Sequence, residues 1–147
     1  MMGLNAWLGF VVLLASAKIA VYAQCVAGTY DDNGICTPCA AGTYSGADGA
    51  TSCTDCVAGK ASSQGATVCS SCSSGFYSGA AAASCTMVQE GYYPIDTSTG
   101  QATDSAASGI AACAQGHYSQ NGYTACAACY EGYYQPSTAQ SLSLIHI

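Results

Sequence analysis

The chain has few charged side chains and almost no basic ones. Asp, Glu, Lys and Arg make up only 7% of its 147 residues. There are eight acidic residues but only two basic ones, Lys18 and Lys60. With a net charge of −6, it has no positive surface that would attract a phosphate backbone or an acidic lipid headgroup. We therefore expect no nucleic-acid partner, and we interpret the scattered carboxylates as a solvated surface.

Large aliphatic side chains are also scarce beyond the N-terminal segment, so no sizeable aliphatic core can form. The chain is instead unusually rich in Cys and Tyr, with 11 of each, and it contains 17 Gly. Small domains that bury too little apolar surface commonly depend on covalent cross-links. We expect disulfides to take the place of the core.

Signals for catalysis are missing as well. The only histidines are His117 and His146, and neither a Gly-x-Ser-x-Gly sequence nor a phosphate-binding loop occurs. A redox Cys-x-x-Cys motif needs a helix N-terminus beside a strand, and nothing here predicts that context. We expect no catalytic residue, no cofactor and no enzymatic activity.

The N-terminal 23 residues have the pattern of a secretory signal peptide. A short apolar run, Leu8 to Ala17, is followed by Lys18 and by small residues at Val21 and Ala23, which predicts a mature chain beginning at Gln24. The alternative is a membrane span, but the run is shorter than the roughly 20 residues a span needs. Export predicts oxidised cysteines and a secreted or cell-surface location.

The last six residues, 142–147, resemble the in-frame translation of a DNA-sequencing adaptor. The alternative is a genuine Leu/Ile-rich tail. On the first interpretation the cysteine-rich region covers 24–141, its last unit is cut short, and a membrane anchor would lie outside the given sequence.

Between these ends the cysteines define seven units, which start near 25, 39, 56, 72, 88, 113 and 129. We call the first Cys of a unit its opening cysteine and the Cys that ends its loop its closing cysteine. Glycine stands three residues after the start of every unit, and an aromatic residue follows two positions later except at Ala61. These motif residues are Gly28, Gly42, Gly59, Gly75, Gly91, Gly116 and Gly132, with Tyr30, Tyr44, Tyr77, Tyr93, Tyr118 and Tyr134.

The fifth unit suggests how the cysteines pair. Val88 and Ile110 stand where an opening and a closing cysteine are expected, and their loss as a couple indicates that these positions are partners. Each disulfide would then close a loop of about 12 residues within its unit, restricting the unfolded chain by roughly 3 kcal/mol. The expected pairs are Cys25 with Cys36, Cys39 with Cys53, Cys56 with Cys69, Cys72 with Cys85, and Cys113 with Cys126, leaving Cys129 unpaired.

Other interpretations of these cysteines remain open. A crossed pattern, first to third and second to fourth, would strand Cys85 and Cys113 as free thiols. Spaced Cys-x-x-Cys pairs also build zinc ribbons, but those need reduced thiolates, which disagrees with export. We therefore expect no metal, and we interpret Asp31-Asp32-Asn33-Gly34 as a turn and not as a calcium loop.

The pattern predicts a small disulfide-rich fold, mostly irregular with short β-hairpins, arranged as an elongated tandem array of about seven Cys/Gly/Tyr repeats. Glycine would allow a tight turn beside each disulfide, and tyrosine would lie over the bridge. We expect two-residue strands near Thr43 and His117, and contacts mainly between neighbouring units.

The sequence Cys-x-x-Cys-x-x-Gly-x-Tyr-Ser, seen from Cys36 to Ser45 and from Cys69 to Ser78, resembles the growth-factor-receptor cysteine-rich superfamily, especially its ephrin-receptor-like repeats. The run Gly49 to Cys56 is also similar to arrays in ciliate immobilisation antigens. The resemblance covers Cys25 to Tyr134 and implies an extracellular disulfide-bonded array without catalytic residues.

Two functions follow as hypotheses. The first is a secreted or cell-surface structural coat protein, in which the polar loop of the fifth unit supplies surface variability. The second is the ligand-binding ectodomain of a signalling receptor, with an extracellular protein as partner and an aromatic patch as the binding hot spot. Candidate residues for that patch are Tyr92, Tyr93, Tyr130, Tyr133 and Tyr134.

Overall fold

The structure is a computed structural model that describes residues 25–131, 133–140 and 145–146. The predicted signal peptide, 1–23, lies outside these residues, as does most of the suspected adaptor segment 142–147. Within the described ranges there is no helix, and so none that could cross a membrane. The strands are β1 (Thr29–Asp32), β2 (Ile35–Pro38), β3 (Thr43–Tyr44), β4 (Thr54–Asp55), β5 (Lys60–Ala61), β6 (Ser70–Ser71), β7 (Phe76–Tyr77), β8 (Thr86–Met87), β9 (Tyr92–Asp96), β10 (Gln101–Ala102), β11 (Gly109–Ala112), β12 (His117–Tyr118), β13 (Ala127–Ala128), β14 (Tyr133–Tyr134) and β15 (Ile145–His146).

Each unit is built on one antiparallel hairpin. Its first strand follows the motif glycine, and in the first six units its second strand contains or directly follows the closing position. In the second unit, for example, Thr43 pairs with Asp55 and Tyr44 pairs with Thr54. The predicted fold class, a disulfide-rich array of short hairpins, is confirmed.

A β-turn over the first residues of the unit sets the direction of the hairpin. In the first unit the amide of Thr29 donates to the carbonyl of Val26 at 3.0 Å, and Gly28 between them has φ +85°. A positive φ at the third residue is what a type II turn requires, and glycine adopts it without steric cost. The same hydrogen bond forms in all seven units, with Thr29, Thr43, Lys60, Phe76, Tyr92, His117 and Tyr133 as donors.

The first hairpin closes at the turn that the sequence predicts. Asp32 pairs with Ile35, which leaves a two-residue loop of Asn33 and Gly34 with φ values of 55° and 86°. Two successive positive φ values identify a type I′ turn, for which Asn-Gly is the favoured pair. The carboxylate of Asp31 accepts a hydrogen bond from the Gly34 amide at 2.6 Å.

The fifth unit differs from a simple hairpin. We interpreted its long polar segment as a loop, whereas part of it forms β10, which pairs with β9 to give a three-stranded sheet in the order β10, β9, β11. The turn between β9 and β10 is held by Asp96, whose carbonyl accepts a hydrogen bond from the Gly100 amide at 2.7 Å. The segment therefore has defined structure near its start.

Cysteine is the commonest residue among the buried side chains. In the first six units the opening positions, including Val88, are at most 2% exposed. Five disulfides each close a loop within one unit, and they are the pairs that the loss of cysteine at positions 88 and 110 suggested. They join Cys25 to Cys36, Cys39 to Cys53, Cys56 to Cys69, Cys72 to Cys85, and Cys113 to Cys126.

Backbone hydrogen bonds join each unit to the next in two repeated sets. In one, a residue with positive φ in the loop of a unit donates its amide to the carbonyl of the preceding unit's opening residue, at 2.6 to 3.1 Å. The donors and acceptors are Gly49 to Cys25, Gly65 to Cys39, Ala81 to Cys56, Ala106 to Cys72, Gly122 to Val88, and Ala139 to Cys113. In the other, motif glycines donate to the next unit, as Gly28 does to Ser45 and Gly42 to Ser62.

Units also meet their second neighbours, which the expectation of mainly nearest-neighbour contacts did not include. A Cβ built on Gly42, in the second unit, would lie 2.7 Å from the carbonyl carbon of Ala81 in the fourth unit. Gly59 faces Ala106 in the same way, also at 2.7 Å. The motif glycine therefore serves both the turn and a close backbone approach between a unit and the next but one.

Candidate binding grooves between the units

A shallow groove lies between the second and third units, and we call it the 2/3 groove. Its volume is about 300 Å³, and its walls include Tyr44 from the second unit and Val57, Lys60 and Cys69 from the third. Tyr44 is the motif tyrosine and Cys69 is a closing cysteine. The motif tyrosine therefore lines the boundary between two units, on the side of the next unit's disulfide.

The same positions line two more grooves. The 1/2 groove, of about 430 Å³, has Tyr30 and Cys53 as the motif tyrosine and closing cysteine. The 5/6 groove, of about 290 Å³, has Tyr93 and Cys126 in these places together with His117. The side chain four residues after the opening cysteine changes from Thr43 to Lys60 to His117 along the series. The fold thus repeats the groove and varies its chemistry.

Where the sixth and seventh units meet, tyrosine occupies three positions that correspond in sequence to lining positions of the 2/3 groove. Tyr118 is the motif tyrosine, Tyr130 takes the place of Val57, and Tyr133 takes the place of Lys60. We call these three residues the tyrosine groove, after the groove that the equivalent positions line between the second and third units. Tyr118 is buried, whereas Tyr130 is 68% exposed and Tyr133 is 38% exposed. Two more exposed tyrosines, Tyr123 and Tyr134, lie in the same two units.

Buried Tyr118 interacts with exposed Tyr130 through a hydrogen bond between their side chains. Burial raises the pKa of the Tyr118 phenol above its usual value, and a hydrogen bond with the Tyr130 hydroxyl raises it further. Tyr118 therefore stays neutral at a pH at which an exposed tyrosine begins to ionise. Because its own ring is fixed by burial, the hydrogen bond restrains Tyr130, which is otherwise largely in solvent.

No protein-family model matches this chain, and no curated protein is similar to it. The structural class is therefore set by the chain's own disulfides. Five intramolecular disulfides in a chain of this size are typical of secreted or extracellular proteins. The chain is a disulfide-bonded, cysteine-rich repeat protein.

The tyrosines that the sequence singled out fall into two groups. Tyr92 and Tyr93 are half-buried in β9, and Tyr93 lines the 5/6 groove. Tyr130, Tyr133 and Tyr134 are exposed. The structure therefore divides the predicted patch between two boundaries. Sequence reasoning missed Tyr118, whose position in the motif gave no sign that it would contact Tyr130.

A repeated serine was also missed as a functional position. Ser62, Ser78 and Ser119 directly follow the motif aromatic position and are buried. Their hydroxyls donate to carbonyls of the preceding unit at 2.9, 3.0 and 2.7 Å, respectively. These serines fix the spacing of adjacent units and with it the width of the grooves. The recurring Tyr-Ser pair in the sequence was the available signal.

Among the described residues no cluster of three or more His, Cys, Asp or Glu side chains is arranged to hold a metal ion. Cys129, the cysteine left over by the pairing, is a half-buried free thiol. His117 reaches the 5/6 groove, where its Nδ1 atom lies 3.2 Å from the carbonyl oxygen of Gln115. The grooves thus present tyrosine at each boundary, together with Lys60 in the 2/3 groove and His117 in the 5/6 groove.

Proposed function

We propose that this chain is a structural coat or spacer protein of a cell surface or an extracellular layer. The observation that carries the proposal is the interlocking of successive units. A disulfide closes five of the units, backbone hydrogen bonds join neighbours, and the motif glycines bring second neighbours together. Such an array stays rigid with little apolar core, which suits a spacer exposed to proteases.

The resemblance to growth-factor-receptor cysteine-rich repeats, and to the arrays of ciliate immobilisation antigens, supports the same proposal. Those arrays are extracellular and have no catalytic residues in the repeat. The predicted signal peptide, residues 1–23, would deliver the chain to the oxidising compartment in which its disulfides form. We propose no catalytic role and no nucleic-acid partner.

The proposal is tested by locating and counting the protein on intact cells of its source. An antibody raised against the oxidised first four units should label a continuous, abundant surface layer without permeabilisation. The layer should resist protease and become sensitive after reduction. Labelling that needs permeabilisation, or sparse clustered labelling, would contradict a coat.

A second function, the ectodomain of a signalling receptor, is favoured by one observation, the tyrosine groove. Exposed tyrosines concentrated at one boundary are typical of binding hot spots. Sparse labelling of intact cells, together with a longer transcript that encodes a membrane span and a cytoplasmic domain, would favour this function over the coat.

A further inference from the structure

The part of the chain that contains the tyrosine groove carries charge of only one sign. From residue 88 to residue 140 the charged side chains are Glu90, Asp96, Asp104 and Glu131, with no Lys or Arg. Glu131 directly follows Tyr130 and is exposed. With no basic side chain to offset these four carboxylates, this part of the chain has a net negative charge, which attracts cations from solution.

The tyrosine groove offers what an organic cation binds once it has arrived. A tyrosine ring face attracts an ammonium or guanidinium group through its quadrupole, and several rings around one site strengthen the attraction. Tyr130 and Tyr133 are both exposed. Because Tyr130 is restrained by its hydrogen bond with buried Tyr118, less side-chain entropy is lost on binding.

We propose that the tyrosine groove binds arginine or lysine side chains of an extracellular protein partner by cation–π contact. Arginine fits better than lysine, because its planar guanidinium stacks on an aromatic ring and is more weakly hydrated. The negative charge of the surrounding units selects a basic segment over an acidic or neutral one. This binding function goes beyond the proposed coat function and does not depend on it.

The other grooves lack this combination. The 2/3 groove has Val57 in the place of Tyr130, and it already contains a cation, Lys60, in the place of Tyr133. Val57 is 64% exposed, so its exposure nearly matches that of Tyr130. The two boundaries therefore form a matched pair, one suited to a cation and one not.

The test is an NMR titration of the full oxidised chain, following the tyrosine ring resonances. The probe is the peptide Gly-Arg-Gly-Arg-Gly, and the comparison peptide contains citrulline, the neutral isostere of arginine, at both positions. We expect the arginine peptide to shift resonances of Tyr130 and Tyr133 saturably and the citrulline peptide to leave them nearly unchanged. Equal binding of both peptides, or no binding of either, would overturn the proposal.

Three variants distinguish cation–π contact with the tyrosine ring from nonspecific binding to apolar surface. Tyr130→Leu keeps apolar surface but removes the ring, and we expect it to weaken binding roughly three- to tenfold. Tyr130→Phe keeps the ring and should retain most of the affinity. Val57→Leu, at the matched position, should bind as the parent does. If Tyr130→Leu binds as tightly as the parent, or if Val57→Leu changes binding as much, the assignment to the tyrosine groove is wrong.

Discussion

Replacing Gly42 with alanine tests whether second-neighbour packing holds the array together. Gly42 has φ +88°, and a Cβ on it would lie 2.7 Å from the carbonyl carbon of Ala81, two units further along the chain. Gly116 provides the matched control. It occupies the same place in its turn with φ +75°, and among the described residues nothing lies within 4 Å of its would-be Cβ.

Both substitutions place alanine at a positive φ, but only Gly42→Ala also forces a side chain against the backbone of another unit. Alanine in the left-handed region costs about 1–2 kcal/mol, and the stiffer unfolded chain offsets about 0.4–1 kcal/mol of that. Gly116→Ala should therefore lower the free energy of unfolding by roughly 0.5–1 kcal/mol. Gly42→Ala must in addition push backbone aside, and we expect about 1–3 kcal/mol more, as for overpacked sites.

Amide hydrogen exchange is the suitable assay, because unfolding of a repeat array need not be two-state. The amide of Ala81 donates to the Cys56 carbonyl at 2.8 Å, so its protection reports the fourth unit directly. In Gly42→Ala this amide should exchange faster, whereas in Gly116→Ala it should not change. Equal losses of stability in the two variants, with Ala81 still protected in Gly42→Ala, would refute the second-neighbour packing.

Three further predictions concern other parts of the array. Ser119→Ala removes a hydroxyl that is fully buried and donates to the fifth unit at 2.7 Å, so we expect a loss of about 1–2 kcal/mol in chemical denaturation; an unchanged midpoint would contradict it. The double variant Val88→Cys with Ile110→Cys should form a sixth disulfide, stabilising by about 2–4 kcal/mol and leaving both thiols closed to alkylation; labelled thiols at both positions would contradict the inferred partnership. Hydrogen bonds from the Ser98 hydroxyl and amide lower the pKa of Asp96, so the stability it contributes is present at neutral pH and is lost as the pH falls through that lowered pKa; Ser98→Ala should raise the pKa of Asp96 in a carbon-13 NMR titration, and no change would contradict the assignment.

Cysteine spacing predicted more of this fold than any other feature. The joint replacement at Val88 and Ile110 suggested loops closed within units, and such loops dictate one hairpin each. Turn chemistry was equally local, because Asn33 and Gly34 both tolerate the positive φ values that a type I′ turn requires. Features that depend on residues near each other in the chain were accessible to sequence reasoning.

Features that depend on stacking were not accessible. The approach of Gly42 to Ala81 joins units separated by a whole repeat, and a glycine needed for a turn looks the same as one needed for packing. The contact of Tyr118 with Tyr130 likewise crosses a unit boundary. Strand β10 was missed because its two residues, Gln101 and Ala102, have no strand pattern of their own. The grooves arise only when units are placed side by side.

The fifth unit shows which contacts the array cannot lose. It lacks a disulfide, yet Val88 is fully buried and still accepts a hydrogen bond from the Gly122 amide at 2.7 Å. Its motif glycine is kept, and a Cβ on Gly91 would lie 2.9 Å from the amide nitrogen of Gln140 in the seventh unit. Buried aliphatic contacts can replace part of what a disulfide contributes, but no side chain fits where two backbones meet. This explains why the first five units keep glycine at that position, although a cysteine pair and one motif tyrosine have been replaced; at Gly116, where the space is open, the positive φ of the turn is the remaining reason.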